Sequence, residues 1–226
     1  MIWGLLAIAI APGVFITLYF YFLDKYEPEP MKKIVTSFFL GFLAAIIAII
    51  LEKLGDSLIM PYVSGIYVPI INAFIIIGIS EEFSKYLCTI FGPYRWKSFN
   101  EVMDGIVYTV AVALGFATFE NIFYVLSGGF SVGIIRAFLS VPAHALFSGI
   151  MGYNIGLAKF QRKGSKRNLY LLGGLIVASF LHGLYDYIIF IKIFYGLAII
   201  PLVIVLFFVI KSKVRVAQRD SINRML

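Results

Sequence analysis

"INAFIIIGISEEFSKYLCTIF", residues 71–91, is apolar at both ends and carries two glutamates and a lysine in its middle. A run of this length, about 20 residues, is what a helix needs to cross the hydrocarbon core of a bilayer. Charges inside such a run cost a few kcal/mol each near the bilayer centre, so they are there for a reason. Comparable apolar blocks recur along the chain. With a mean hydropathy of +0.95 and 14% charged residues, against about 25% in a soluble domain, the 226-residue chain has more apolar surface than one water-facing core can use. The sequence therefore predicts an all-α polytopic membrane protein of about seven transmembrane helices. A soluble globular domain is excluded.

Spans are expected near 2–23, 34–51, 67–91, 105–127, 132–158, 169–190 and 193–210. The first lacks a basic leader and a small-residue cleavage site, so it reads as a retained helix. Two prolines in "DKYEPEPMKK" (24–33) stop it, since proline has no N–H to continue the ladder. Asp104 is placed to cap the fourth span, and a tight helical hairpin is expected at 191–192. Glycines four apart in "GYNIG" (152–156) predict close helix packing. The lone Cys88 excludes an internal disulfide. The chain reads as one integral-membrane domain, residues 1–226, whose last part, 211–226, is a basic tail.

Lysine and arginine set the expected orientation. Alternate loops and the tail hold 15 of the 19 basic residues, the opposite loops hold 3 (Lys53, Arg136, Lys192), and Lys85 lies within a span. Basic loops stay in the cytoplasm, which puts the N-terminus outside and the C-terminus inside. Topology thus explains the net charge of +7. "KFQRKGSKR" (159–167) is a solvated loop beside anionic lipid, and no nucleic acid partner is expected.

Within the spans, the ionisable residues are Glu81, Glu82 and Lys85, then Glu120, His144, His182 and Asp186. Four helices bring them to similar depths, in the middle to outer part of the membrane, which scattered structural residues have no need to do. Glu81 and Lys85 stand at i,i+4 and Glu82 and Lys85 at i,i+3, so both can pair. Glu81 and Glu82 point about 100° apart, so one can face a shared centre while the other is held by Lys85. His182 and Asp186, also at i,i+4, can support one another, and Asn121 beside Glu120 can supply hydrogen bonds. Two imidazoles and one or more carboxylates make up a catalytic zinc site with a position open for water. The same groups can also activate water without a metal, a glutamate serving as base and the histidines holding an oxyanion. The soluble H-E-x-x-H pattern is absent.

"SEEFSKY" (80–86), "DGIVYTVAVALGFATFENIFYV" (104–125), "RAFLSVPAHALFSGIMGY" (136–153) and "SFLHGLYDY" (179–187) resemble the motif series of the PrsW family of intramembrane proteases. "YEPEP" (26–30) and "SFFLGF" (37–42) extend the likeness. The resemblance implies a multi-pass enzyme of the bacterial cell membrane. Its substrate would be a single-pass anti-sigma factor, cut first on the outer side to start release of a stress-responsive sigma factor. The CAAX prenyl endopeptidases are distant relatives with E-E-x-x-x-R, F-x-x-x-H and H-x-x-x-N/D motifs. Glu81-Glu82 and His182-x-x-x-Asp186 match the first and last of these. Lys85 comes one position early, and Glu120 stands where those relatives have histidine, a place His144 can fill from another helix. The expected roles follow. Glu81 or Glu82 activates water, His144 and His182 bind zinc with one of the glutamates or hold the oxyanion, Glu120 is a ligand or second acid, and Asp186 orients His182. A CAAX-type peptidase and a proton-coupled transporter are the rival readings. Outward site depth opposes the first, and the lack of an inverted repeat opposes the second.

Overall fold

The computed structural model describes residues 2–192 and 197–225, and among them every regular element is helical. Helices α1 (Ile2–Leu23) and α2 (Met31–Leu58) come first. A composite third helix follows, built of α3 (Tyr67–Ile70), a π-helical stretch (Ile71–Ile79) and α4 (Ser80–Phe91). The rest is α5 (Val102–Phe138), α6 (Ser140–Lys159), α7 (Ser165–Phe190) and α8 (Ile199–Met225). Among the described residues, five stretches are long and apolar enough to cross a membrane: Ile2–Leu23, Met31–Tyr62, Tyr67–Arg95, Val102–Lys159 and Ser165–Phe190. The chain is thus a multi-pass membrane protein.

The fourth stretch, 58 residues, would be about 87 Å long if straight, nearly three times the hydrocarbon thickness. It folds back on itself instead. Val102 lies against Gly156 and Gly105 against Gly152, while farther along Glu120 meets His144, so α5 and α6 are antiparallel. The fold-back is prepared at Gly129, whose φ of +78° suits glycine alone, in the gap expected between the fourth and fifth spans.

Helix α5 is the hub. From Val102 to Thr118 every residue is buried, whichever way it points, because α1, α2 and α6 surround it. A helix apolar all round is a buried helix. Glycines let its neighbours come close. A methyl on Gly115 would sit 1.7 Å from the Phe38 carbonyl oxygen of α2, and one on Gly152 would sit 2.3 Å from that of Gly105. The "GYNIG" glycines are packing residues, as their spacing predicts.

Three boundaries differ from expectation. The second span does not stop at residue 51; α2 runs to Leu58, because Glu52 and Lys53 are good helix formers and no proline occurs before Pro61. Asp104 does not cap α5. Glu101 is the N-cap and Asp104 the third helical residue, the two exchanging side-chain-to-backbone bonds as a capping box. The residues expected to form a basic tail continue α8 as helix to Met225. The start of the seventh expected span, residues 193–196, and Leu226 lie outside the described residues, while residues 191–192, where a hairpin is expected, form a turn.

One end of the bundle gathers the basic loops. Tyr108 hydrogen-bonds Glu29, Lys33 stacks 4.2 Å over Trp96, and Lys159 donates to the Tyr94 carbonyl. Gln218 of α8 donates to the Leu23 carbonyl at the end of α1. Loops 24–30 and 92–101, the α6–α7 loop and the far half of α8 therefore share that end.

Candidate active site

The π-helical turns before Ser80 widen the helix and reset the phase of the side chains that follow, a device common at functional sites. Helix α7 packs onto this segment at its small residues. A methyl on Gly78 would lie 2.8 Å from the Ser179 carbonyl oxygen, and one on Gly183 would lie 2.6 Å from the Phe74 ring. That close approach brings His182 against the two glutamates.

Lys85 is wholly buried, and its ammonium has three donors to place. It spends them on Glu81 Oε2 (3.1 Å), Glu82 Oε1 (2.8 Å) and His144 Nδ1 (3.0 Å), and it lies 4.0 Å above the Phe116 ring. An ammonium only donates, so His144 Nδ1 accepts and its proton belongs on Nε2. Nε2 lies 3.2 Å from Glu120 Oε2, where that proton is donated.

The two glutamates divide their work. Glu82, fully buried, accepts from Lys85, from Ser148 Oγ (2.8 Å) and from His182 Nδ1 (3.0 Å). A carboxylate on Nδ1 fixes the imidazole tautomer and leaves Nε2 with its lone pair free. Glu81 instead faces a cavity of about 630 Å³, whose other polar lining includes Glu120, His144, His182 and Asp186. Its Oε2 is 3.7 Å from His182 Nε2 and 3.9 Å from His144 Nδ1.

Glu120 is paired with Arg136 (3.1 Å), whose Nε also donates to Asn121 Oδ1 (2.9 Å). Asn121 in turn donates to the Ala9 carbonyl, so it positions the arginine and does not bond to Glu120. Asp186 Oδ2 is buried without a hydrogen-bond partner and lies 3.5 Å from His182 Nε2. Glu82 thus holds His182 at Nδ1, while Asp186 lies beside its Nε2 on the cavity side.

All six expected site residues meet at this centre. Three contributors were not expected. Glu52, which lines the cavity, was excluded by ending the second span one residue before it. Arg136 was counted as a loop charge; its distance of 16 residues from Glu120 gives no helical signal, because a fold-back intervenes. Ser148, four residues after His144 on one helix face, is within reach of the same centre by its spacing.

The donor set fits a metal ion. Glu81, His144 and His182 each offer a ligand atom within 4.8 Å of the others. A tetrahedral ion with bonds near 2.0–2.1 Å needs its ligand atoms about 3.3 Å apart. The two distances from Glu81 therefore need to shrink by less than about 1 Å, with Lys85 giving up His144 Nδ1.

Helices that cross a membrane, a cavity of about 630 Å³ among them, and two imidazoles converging with carboxylates inside it define a membrane-embedded enzyme. Residues 29–211 match the family described as PrsW family intramembrane metalloprotease. A protein named Protease PrsW from Geobacillus kaustophilus (strain HTA426) is 40% identical over 190 residues, covering 84% of this chain and 81% of the relative. One of the same name from Bacillus subtilis (strain 168) is 37% identical over 82% of each chain. Another, from Halalkalibacterium halodurans, is 33% identical over 96% of this chain and 98% of its own. The chain belongs to the PrsW family of intramembrane metalloproteases. No solved structure matches it.

Proposed function

We propose that the chain is a zinc endopeptidase of the bacterial cell membrane that makes the first, outer-side cut in a single-pass anti-sigma factor. The observation that carries the hydrolytic reading is the convergence of Glu81, His144 and His182 on one cavity, with Glu82 holding His182 from behind. Family membership supports a protein substrate, and the donor set of two imidazoles and a carboxylate favours zinc.

The orientation rests on the clustering of loops. The end that gathers Lys33, Lys159 and the loops around them is the cytoplasmic one by the positive-inside rule. Counting α5, α6 and α8 as separate crossings gives seven, with the N-terminus outside. Glu120 then lies about 27 Å along α5 from Val102, His182 about 26 Å along α7 from Ser165, and His144 about 22 Å along α6 from Lys159. In a hydrocarbon core of about 30 Å, these depths support a cavity toward the outer leaflet. A prenylated cytoplasmic tail, the substrate of a CAAX-type peptidase, would meet the wrong end.

Zinc bound by Glu81, His144 and His182 would acidify a water molecule and polarise the scissile carbonyl. Around it the chain's own groups have separate tasks. Glu82 and Ser148 lock His182 so that Nε2 faces the cavity. Lys85 offsets the charge of the glutamates. Asp186, whose Oδ2 has no other partner, takes the proton of the attacking water and returns it to the leaving nitrogen as the C–N bond breaks. Arg136 holds Glu120 beside His144, which keeps that imidazole turned toward the centre.

Incubating the purified protein with a membrane-anchored anti-sigma factor and locating the cut by mass spectrometry tests this reading. The new termini are expected in the outer half of the substrate's span or just outside it. A cut in the substrate's cytoplasmic portion would overturn the placement. Reporters fused after Lys163 and after Val216 should read cytoplasm, and one after Ser64 should read outside. An external signal at Lys163 would reverse the orientation.

A further inference from the structure

At the far end of the bundle from the cavity, four carboxylates are buried together. Asp24 and Glu29 come from loop 24–30, and Glu101 and Asp104 from the start of α5; none is more than 3% exposed. One oxygen each from Asp24, Glu101 and Asp104 lies within 4.8 Å of the others. Part of their capacity is already used. The Glu101 side chain accepts the backbone N–H of Asp104, and Asp104 Oδ2 accepts those of Asn100 and Glu101, both at 2.7 Å. Glu29 accepts the Tyr108 hydroxyl. What remains is Asp24 Oδ2 and Asp104 Oδ1, both buried and without a hydrogen-bond partner.

Bringing carboxylates this close out of water is unfavourable unless a positive charge joins them. We propose that Asp24, Glu101 and Asp104 form a binding site for a hard divalent cation of Ca²⁺ size, separate from the catalytic centre. The donors are all oxygen, which suits Ca²⁺, Mg²⁺ or Mn²⁺ better than a softer metal. Oxygens around Ca²⁺ at 2.3–2.6 Å lie up to about 5 Å apart, a spread that accommodates these three as they stand. Mg²⁺, with bonds near 2.0–2.1 Å, needs a tighter set. Asp104 is about 24 Å along α5 from Glu120, so the two centres share no ligand. The ion would tie loop 24–30 to the start of the hub helix, at the corner where α1, α2 and α5 meet.

The test uses the full-length protein in lipid nanodiscs with Tb³⁺ as a luminescent Ca²⁺ substitute. Excitation passes through Tyr108, which touches Glu29, and through Trp96, 5.2 Å from the Tyr108 ring. One Ca²⁺-displaceable Tb³⁺ site is expected in the wild type and in Glu81→Gln, and its loss is expected in Asp24→Asn. Ca²⁺ at a hundred times its Kd should raise the wild-type Tm by roughly 5–11 °C and leave that of Asp24→Asn unchanged. Signal retained in Asp24→Asn but lost in Glu81→Gln would assign the ion to the catalytic cavity and overturn the proposal. Absence of Tb³⁺ and Ca²⁺ binding in the wild type would overturn it as well, leaving the carboxylates to share protons. If Asp24→Asn fails to accumulate, the comparison of wild type with Glu81→Gln still decides.

Discussion

Glu81→Gln is expected to cut substrate cleavage by at least about 10²-fold while the protein folds as well as the wild type. Glu82→Gln is expected to lose activity and stability together. The difference lies in what each carboxylate touches. Glu81 faces the cavity, and Lys85 still has Glu82 and His144 when position 81 is an amide. Glu82 accepts three hydrogen bonds in a site without water access, from Lys85, Ser148 and His182. Glutamine there removes the negative charge closest to a wholly buried ammonium. Its own NH₂ group would also face donors where acceptors are needed. Breaking a buried ion pair from one side costs about 3–5 kcal/mol, which for a chain of this size lowers Tm by roughly 6–20 °C. Thermal unfolding in detergent, run beside the cleavage assay, separates the two variants. Equal stability of both would mean that Glu82 is not the anchor, and near-normal cleavage by Glu81→Gln would move the reaction elsewhere.

The sequence was most informative where a residue type was improbable in its setting. "SEEFSKY" in an apolar run, and both histidines of the chain within spans, point to the site without any contact being known, because charge and imidazole are expensive in a membrane. Depth could be counted because a helix advances by a constant rise. Information carried by backbone direction was not legible. The π-helical phase before Ser80 decides that Glu81, and not Glu82, faces the cavity, and no residue between Ile71 and Ile79 announces it. The Gly129 turn brings Arg136 back to Glu120, and spacing alone treats that arginine as a loop charge. Glu52 was lost by reading a charge as a helix end, although glutamate and lysine favour helix as strongly as most apolar residues. The burial of the loop carboxylates Asp24 and Glu29 was likewise not legible, since only the folded start of α5 covers them.

The metal is tested most sharply by separating ligands from the proton carrier. His182→Ala and His144→Ala should each lose both bound zinc and cleavage, to below about 1% of wild-type activity. Asp186→Asn should lose 10²–10⁴-fold in rate, the usual range for a missing acid–base group, while keeping its zinc. The argument runs through the hydrogen bonds. His182 Nδ1 is committed to Glu82, so Nε2 is the nitrogen available to an ion. His144 Nδ1 is held by Lys85 at 3.0 Å, so binding through it requires the ammonium to turn back toward its glutamates. Asp186 Oδ2 lies beside His182 Nε2 but has no hydrogen-bond partner, so it is the oxygen free to accept a proton. Elemental analysis of each purified variant measures the metal directly, and a chelator should inhibit the wild type reversibly, with added zinc restoring cleavage. Zinc lost from Asp186→Asn would make that residue a ligand. Full activity in wild-type protein shown to be metal-free would remove the ion from the mechanism, leaving Glu81 to activate water and the two imidazoles to hold the oxyanion.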